Sequence, residues 1–231
     1  MIKNQEQKEK TPPEPIVEKE EMTLSELNEI LAASKATADP ELKCRTVTMY
    51  GEVNEESCKL IVSSLHYYKA VGTIEEFVES EEEPESTVQI VSSCPDIDLI
   101  ISTEGGSVPD MFSAYDSIRE VSRSCDISTF GVGRVMSAGV LILAAGTKGK
   151  RRVGRNCRLM LHAISGGHFG SLKDLEVDIR EVKWYQNQYA KALASETNLT
   201  EKKIKSIFRR KTDTYFDADQ ALEWGIIDEI V

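Results

Sequence analysis

The sequence has no apolar run of membrane-spanning length. Residues 140–145 are the clearest hydrophobic stretch, far short of the ~20 residues a bilayer requires. Residues 1–21 lack an apolar leader core, so no secretory signal is expected. There is no CxxC pair. The five cysteines (Cys44, Cys58, Cys94, Cys125 and Cys157) are odd in number and widely spaced. That disfavours a zinc site or a disulfide scaffold and predicts buried free thiols in a reducing compartment. Nor is there a basic excess: a net charge of -11 argues against general nucleic-acid binding. These absences predict a soluble cytoplasmic protein with neither membrane nor nucleic acid among its partners.

Against these absences, 231 residues at 40% hydrophobic and 29% charged suffice for one α/β domain, or for a domain with an appendage. The charge is uneven. Residues 75–85 carry seven glutamates and no base, whereas Lys148, Lys150, Arg151, Arg152, Arg155 and Arg158 form a basic stretch. Both read as solvated faces or as an ion-paired oligomer surface. Residues 1–21 are rich in Lys, Glu, Gln and Pro and cannot bury enough surface to order alone. Thr23-Leu24-Ser25-Glu26 has the pattern of a capping box, with Leu27, Ile30 and Leu31 following at helical spacing. Residues 1–41 are therefore expected to be a flexible acidic/polar extension with a short helix: a mobile arm, a propeptide or a docking segment. The compact domain spans 42–231, with an acidic insertion at about 72–95.

Within it the hydrophobic pattern alternates. Strands are predicted at 45–50, 97–102, 127–132, 158–161 and 226–230, with turns at 51–54 and 103–106. Helices are predicted at 55–70, through Met111, Ala114, Tyr115 and Ile118, and at 137–145. Further helices start at Ser171 and after Thr200, and the last covers 218–224 and is stopped by Gly225. The long helix from Ser171 keeps Leu172, Leu175, Ile179, Val182, Tyr189 and Leu193 on one face. Repeated strand–helix units favour a parallel sheet with covering helices.

Three separated polar residues carry the chemistry. Ser137 lies between an apolar run and a small-residue helix start, His162 ends Leu159-Met160-Leu161, and Asp213 follows a basic helix. Brought together, they supply a nucleophile, a base and a carboxylate to orient the base. Each has a plainer reading as well. Ser137 suits a helix cap, which would set its Oγ at the positive helix end and aim the Ala138 N–H at a developing oxyanion. His162 suits simple packing, and Gly105-Gly106 suits either a tight turn or close backbone approach to a ligand. Of the other histidines, His66 falls inside a helical pattern as a surface or boundary residue and His168 in a glycine loop. Gly131-Val132-Gly133 lacks the third glycine of a dinucleotide fingerprint, and residues 146–150 lack Walker A spacing. Cys157 has no activating partner nearby in sequence.

Further motifs accompany these residues in a fixed order. They are Gly51-Glu52-Val53, Glu104-Gly105-Gly106, Tyr115-Asp116, Ser137-Ala138-Gly139, residues 144–151, residues 156–162, Gly166-Gly167 and residues 221–228. Over 45–231, apart from the acidic insertion, the chain resembles the Clp protease proteolytic subunit (ClpP) family, as a divergent member. The resemblance implies a ClpP/crotonase-like spiral of ββα units, with the helix from Ser171 as a protruding handle between two stacked rings. It implies Ser137 as nucleophile, His162 as general base and Asp213 as orienting acid, with Gly106 and Ala138 as oxyanion donors and no metal or cofactor. It further implies heptameric rings paired into a tetradecamer, homo- or hetero-oligomeric, that hydrolyse unfolded polypeptides delivered by an ATP-driven AAA+ unfoldase. The chain departs from the family pattern at Arg134, Val135 and Met136, which are bulky, at Glu104 in place of proline, at Ala163-Ile164, and at Thr212 in place of arginine. Two other readings stand beside the serine endopeptidase: a non-catalytic or regulatory ring subunit, and an acyl-CoA enzyme of the crotonase type.

Overall fold

The computed structural model describes residues 44–79, 88–167 and 169–231, together with Thr23, Ser25, Glu26, Asn28 and Glu29. Its strands are β1 (Thr46–Val53), β2 (Ile74–Glu79), β3 (Val88–Ser93), β4 (Ile97–Gly106), β5 (Ile127–Met136), β6 (Arg151–Val153), β7 (Arg158–Leu161), β8 (Thr214–Phe216) and β9 (Glu229–Ile230). Its helices are α1 (Glu55–Gly72), α2 (Val108–Val121), α3 (Ala138–Ala144), α4 (Leu172–Glu196), α5 (Glu201–Phe208) and α6 (Ala218–Glu223). Parallel strands β1-β4-β5-β6-β9 form the main path of one sheet; β7 joins β5 in parallel, and β8 pairs antiparallel with β7. The fold is the expected α/β architecture of a parallel sheet with packed helices.

Local chemistry sets these elements. Along β4 burial alternates, so Ile97, Leu99, Ile101 and Thr103 face the core from one side of the strand. The helices start at side-chain caps: Asn54 with Ser57 for α1, Ser107 for α2, Ser171 with Asp174 for α4, Thr200 for α5 and Asp217 for α6. Thr23 and Glu26 form the reciprocal bonds of the expected capping box, Thr23 N–H donating to Glu26 Oε2 at 2.9 Å and Glu26 N–H to Thr23 Oγ1 at 3.3 Å. The expectation for residues 1–21 lies outside the described residues.

Several boundaries differ from those predicted. Neither 51–54 nor 103–106 is a turn. Residues 51–53 and 103–106 continue their strands, because Glu52 and Val53 pair with Gly105 and Gly106 after a bulge at Tyr50/Glu52, and Asn54 caps α1. Residues 74–79 and 88–93 of the acidic insertion form an antiparallel pair, with Phe77 opposite Ile90. The short strands β6 and β8 were not anticipated: three residues are too few for a period to show.

The cysteine reading is corrected as well. Cys94 and Cys125 form a disulfide, joining the residue after β3 to the segment before β5, and Cys44 is exposed; only Cys58 and Cys157 are the expected buried thiols. Partners 31 residues apart in sequence meet because β4 and β5 are parallel neighbours, a proximity that spacing alone does not reveal. Finally, the apolar face of α4 is buried only in its second half. Tyr189, Ala190 and Leu193 are enclosed, whereas Leu172, Val177, Ile179 and Trp184 are exposed. Among the described residues no helix is long and apolar enough to cross a membrane.

Candidate active site

Ser137, His162 and Asp213 each sit one residue beyond the end of a strand, and the three strands are neighbours. Ser137 follows β5, His162 follows β7, and Asp213 precedes β8. The β5–β7 register ends on Met136 opposite Met160, and the Ser137 N–H donates to Met160 O at 2.8 Å. The β7–β8 register runs Leu159–Phe216, Met160–Tyr215, Leu161–Thr214, so the next facing pair is His162 and Asp213. Backbone pairing thus brings together residues 25 and 51 positions apart, at the carboxyl end of the parallel strands where α/β sheets commonly hold their sites.

The side chains meet accordingly. His162 Nε2 lies 2.8 Å from Ser137 Oγ, a hydrogen bond. His162 Nδ1 lies 3.6 Å from Asp213 Oδ1, which is electrostatic contact rather than a formed hydrogen bond.

Ser137 does not cap α3 as expected. It makes no side-chain cap bond, and its backbone sits at φ 53°, ψ -120°, the only non-glycine with positive φ among the described residues. Such a conformation costs about 1–3 kcal/mol and persists only where the surroundings enforce it. Here the enforcing groups are the Met160 carbonyl on the Ser137 N–H and the Tyr189 hydroxyl, which donates to Ser137 O at 2.7 Å. Burial pushes the Tyr189 phenol far upward, so it stays a neutral donor. This turn swings the serine hydroxyl off the helix axis and toward His162.

Gly105 and Gly106 fit closely beside it. A Cβ on Gly105 would lie 2.6 Å from the Ser137 Cβ, and one on Gly106 would collide with the Val53 carbonyl. Their φ values of 98° and 152° also favour glycine. Gly106, Ala138, Ser137 and His162 all line one cleft of about 1320 Å³, between the ends of β1, β4 and β5 and the first half of α4. The expected oxyanion donors therefore share the cleft with the serine and the histidine. Beside Ser137, Arg134 pairs with Glu104 at 2.8 Å across the cleft lining.

The alternatives separate from this cluster. His66 lies on α1, 3.7 Å from Glu120 and outside the cleft lining. His168 lies outside the described residues. Cys157 is buried, which pushes its thiol up to about 11, so it is no nucleophile near neutrality. No group of three or more His, Cys, Asp or Glu that could hold a metal occurs among the described residues. The contributor that sequence reasoning missed is Tyr189, read only as part of an apolar face. A buried tyrosine usually finds a partner for its hydroxyl, and that was the available signal.

Comparison with known proteins adds one finding. A family model described as Clp protease matches residues 87–231, more than half of the chain and a stretch that contains Gly106, Ser137, Ala138, His162 and Asp213.

Proposed function

The chain belongs to the Clp protease family and is a peptidase by that membership; we propose that it is a serine-type endopeptidase using Ser137, His162 and Asp213. The observation that carries this reading is the 2.8 Å contact between His162 Nε2 and Ser137 Oγ, made at a strained serine beside two glycines. His162 takes the hydroxyl proton as Oγ attacks the scissile carbonyl carbon. The carbonyl oxygen becomes an oxyanion facing the backbone N–H groups of Gly106 and Ala138. The tetrahedral intermediate collapses, His162 returns the proton to the leaving amine, and an acyl-enzyme remains on Ser137. Water, deprotonated by His162, attacks the ester; the second intermediate collapses as His162 returns that proton to Ser137 Oγ, and the second peptide leaves as an acid that ionises in solvent. Asp213 faces Nδ1 throughout and stabilises the imidazolium, closing its 3.6 Å gap as positive charge forms.

In this reading residues 42–231 are the protease domain and residues 1–41 an extension. Peptides in extended form suit the open cleft. Family membership supports the further proposal that unfolded polypeptides are delivered by an AAA+ unfoldase into paired heptameric rings. The exposed apolar residues of α4 support such an assembly, since a lone chain leaves them in water.

The decisive experiment is labelling with a fluorophosphonate probe. Wild-type protein is expected to label and Ser137→Ala to lose labelling and peptide hydrolysis together. Equal labelling of the two, or none in either even with an unfoldase present, would sink the proposal.

A further inference from the structure

The ladder between β4 and β5 is broken just before both strands reach the site. Ile101 faces Gly131, but the next facing pair is Thr103 with Val135, so one residue of β4 is matched against three of β5. The extra length is Val132-Gly133-Arg134, with Gly133 at φ 65°. Beyond this irregularity the ladder holds only the pair Thr103–Val135. Two residues further on, β5 delivers Ser137; two residues further on, β4 delivers Gly105 and Gly106. Past the irregularity, the strand carrying the nucleophile and the strand carrying the glycines are therefore joined in register only at Thr103–Val135.

Glu104 and Arg134 flank that point, one on each strand, and their side chains pair at 2.8 Å. Glu104 is bonded directly to Gly105, where an added Cβ would lie 2.6 Å from the Ser137 Cβ. The Gly105 N–H already turns back to Thr103 Oγ1 at 2.9 Å, which makes 103–105 one tight unit. We infer that Glu104 and Arg134 are a positioning pair. Their ion pair supplies a second tie between β4 and β5 where the ladder has one left, and it fixes Gly105-Gly106 against Ser137. Both residues are more than half exposed, so the tie is modest in strength, and its leverage comes from its place. A bulge loosens strand pairing and re-aims side chains next to it, and this pair restrains that freedom.

The consequence for turnover rests on the hydrolase reading above; the restraint itself does not. Glu104→Gln and Arg134→Gln should each raise amide hydrogen exchange in residues 103–107 and 134–138 about threefold or more. The charge-swapped double variant, Glu104→Arg with Arg134→Glu, should bring exchange back to within about twofold of wild type, consistent with an exposed pair worth up to about fivefold. Ser137→Ala should leave exchange in 103–107 unchanged. In peptide hydrolysis, the single variants should lower kcat about threefold to fivefold with KM little changed, and the swap should restore it. Altered and rescued exchange without Ser137-dependent hydrolysis in wild type would keep the positioning pair and reject the hydrolase. Unchanged exchange in both single variants, or a swapped double no better than they are, would overturn the pair whatever the activity.

Discussion

The two halves of α4 share one helix and one apolar periodicity, yet they live in different environments. In the second half Tyr189 and Leu193 are 2% and 0% exposed, and Tyr189 stacks on Phe208 of α5 with ring centroids 5.3 Å apart. In the first half Leu172 and Ile179 are 75% and 53% exposed, although they continue the same stripe. The docked half does chemical service: its Tyr189 hydroxyl holds the carbonyl of the strained Ser137. Its last carbonyl, Glu196 O, accepts from the buried Arg151 guanidinium at 2.7 Å, which ends the helix inside the core. The first half lines the cleft with Leu175, Ile179 and Val182 and turns its remaining apolar side chains to water. One helix thus braces Ser137 at one end and offers an unburied apolar surface at the other. A stripe that outruns its own core leaves apolar surface in water, which is what the proposed assembly would cover.

Leucine truncation should separate the halves most sharply. Leu193→Ala removes a fully buried side chain and should cost about 2–5 kcal/mol in denaturant unfolding. Leu172→Ala should stay within about 0.5 kcal/mol in a dissociated chain, while lowering the mass of whatever assembly forms in sedimentation. Equal costs for the two would mean the helix is not divided as described. Tyr189→Phe comes next. It strips the donor from Ser137 O but keeps the ring stacked, so about 1–2 kcal/mol should be lost. Probe labelling of Ser137 should slow about tenfold, and unchanged labelling would remove Tyr189 from the support of the site. A smaller effect is expected for Ile179→Asn on the free chain: unfolding nearly unaltered, association weakened. A chain that is monomeric both before and after this change would remove the assembly role of the first half.

The same division explains how much was legible in the sequence. The helical stripe, its Ser171 cap and the order of strands were readable because each is a local pattern. Ser137, His162 and Asp213 were readable as strand- or helix-end residues, but their meeting depends on β8, three residues long, pairing beside β7. The stripe of α4 could not show where burial stops, since periodicity reports which face is apolar and not what covers it. The disulfide between Cys94 and Cys125 was misread for a related reason: an odd, scattered cysteine count says nothing of which strands become neighbours. Glu104 and Arg134 stood out singly as departures from a family pattern, and only the fold shows that they answer each other.

The smallest expected effect concerns pH and belongs to the docked half alone. Arg151, which holds the end of α4, is itself clamped by Asp228, through Nε at 2.8 Å and Nη2 at 2.6 Å. Burial alone would raise the Asp228 carboxyl, but hydrogen bonds from the Arg151 side chain and from the backbone N–H groups of Arg151 and Gly149 outweigh it and hold the group below its ordinary 3.8. A carboxyl depressed in the folded state stabilises fully above its unfolded value, and that contribution drains away as pH falls from there through the lower folded value. Unfolding free energy should therefore drop as pH is taken below about 4, and this part of the slope should vanish in Asp228→Asn, which is less stable at neutral pH because Arg151 loses its partner. Hydrogen exchange read along α4 across the same pH range should show the loss in residues 189–196 before residues 172–180 change. Parallel pH profiles for wild type and Asp228→Asn would mean that the clamp does not anchor the helix end, and the contrast between the halves would then rest on apolar burial alone.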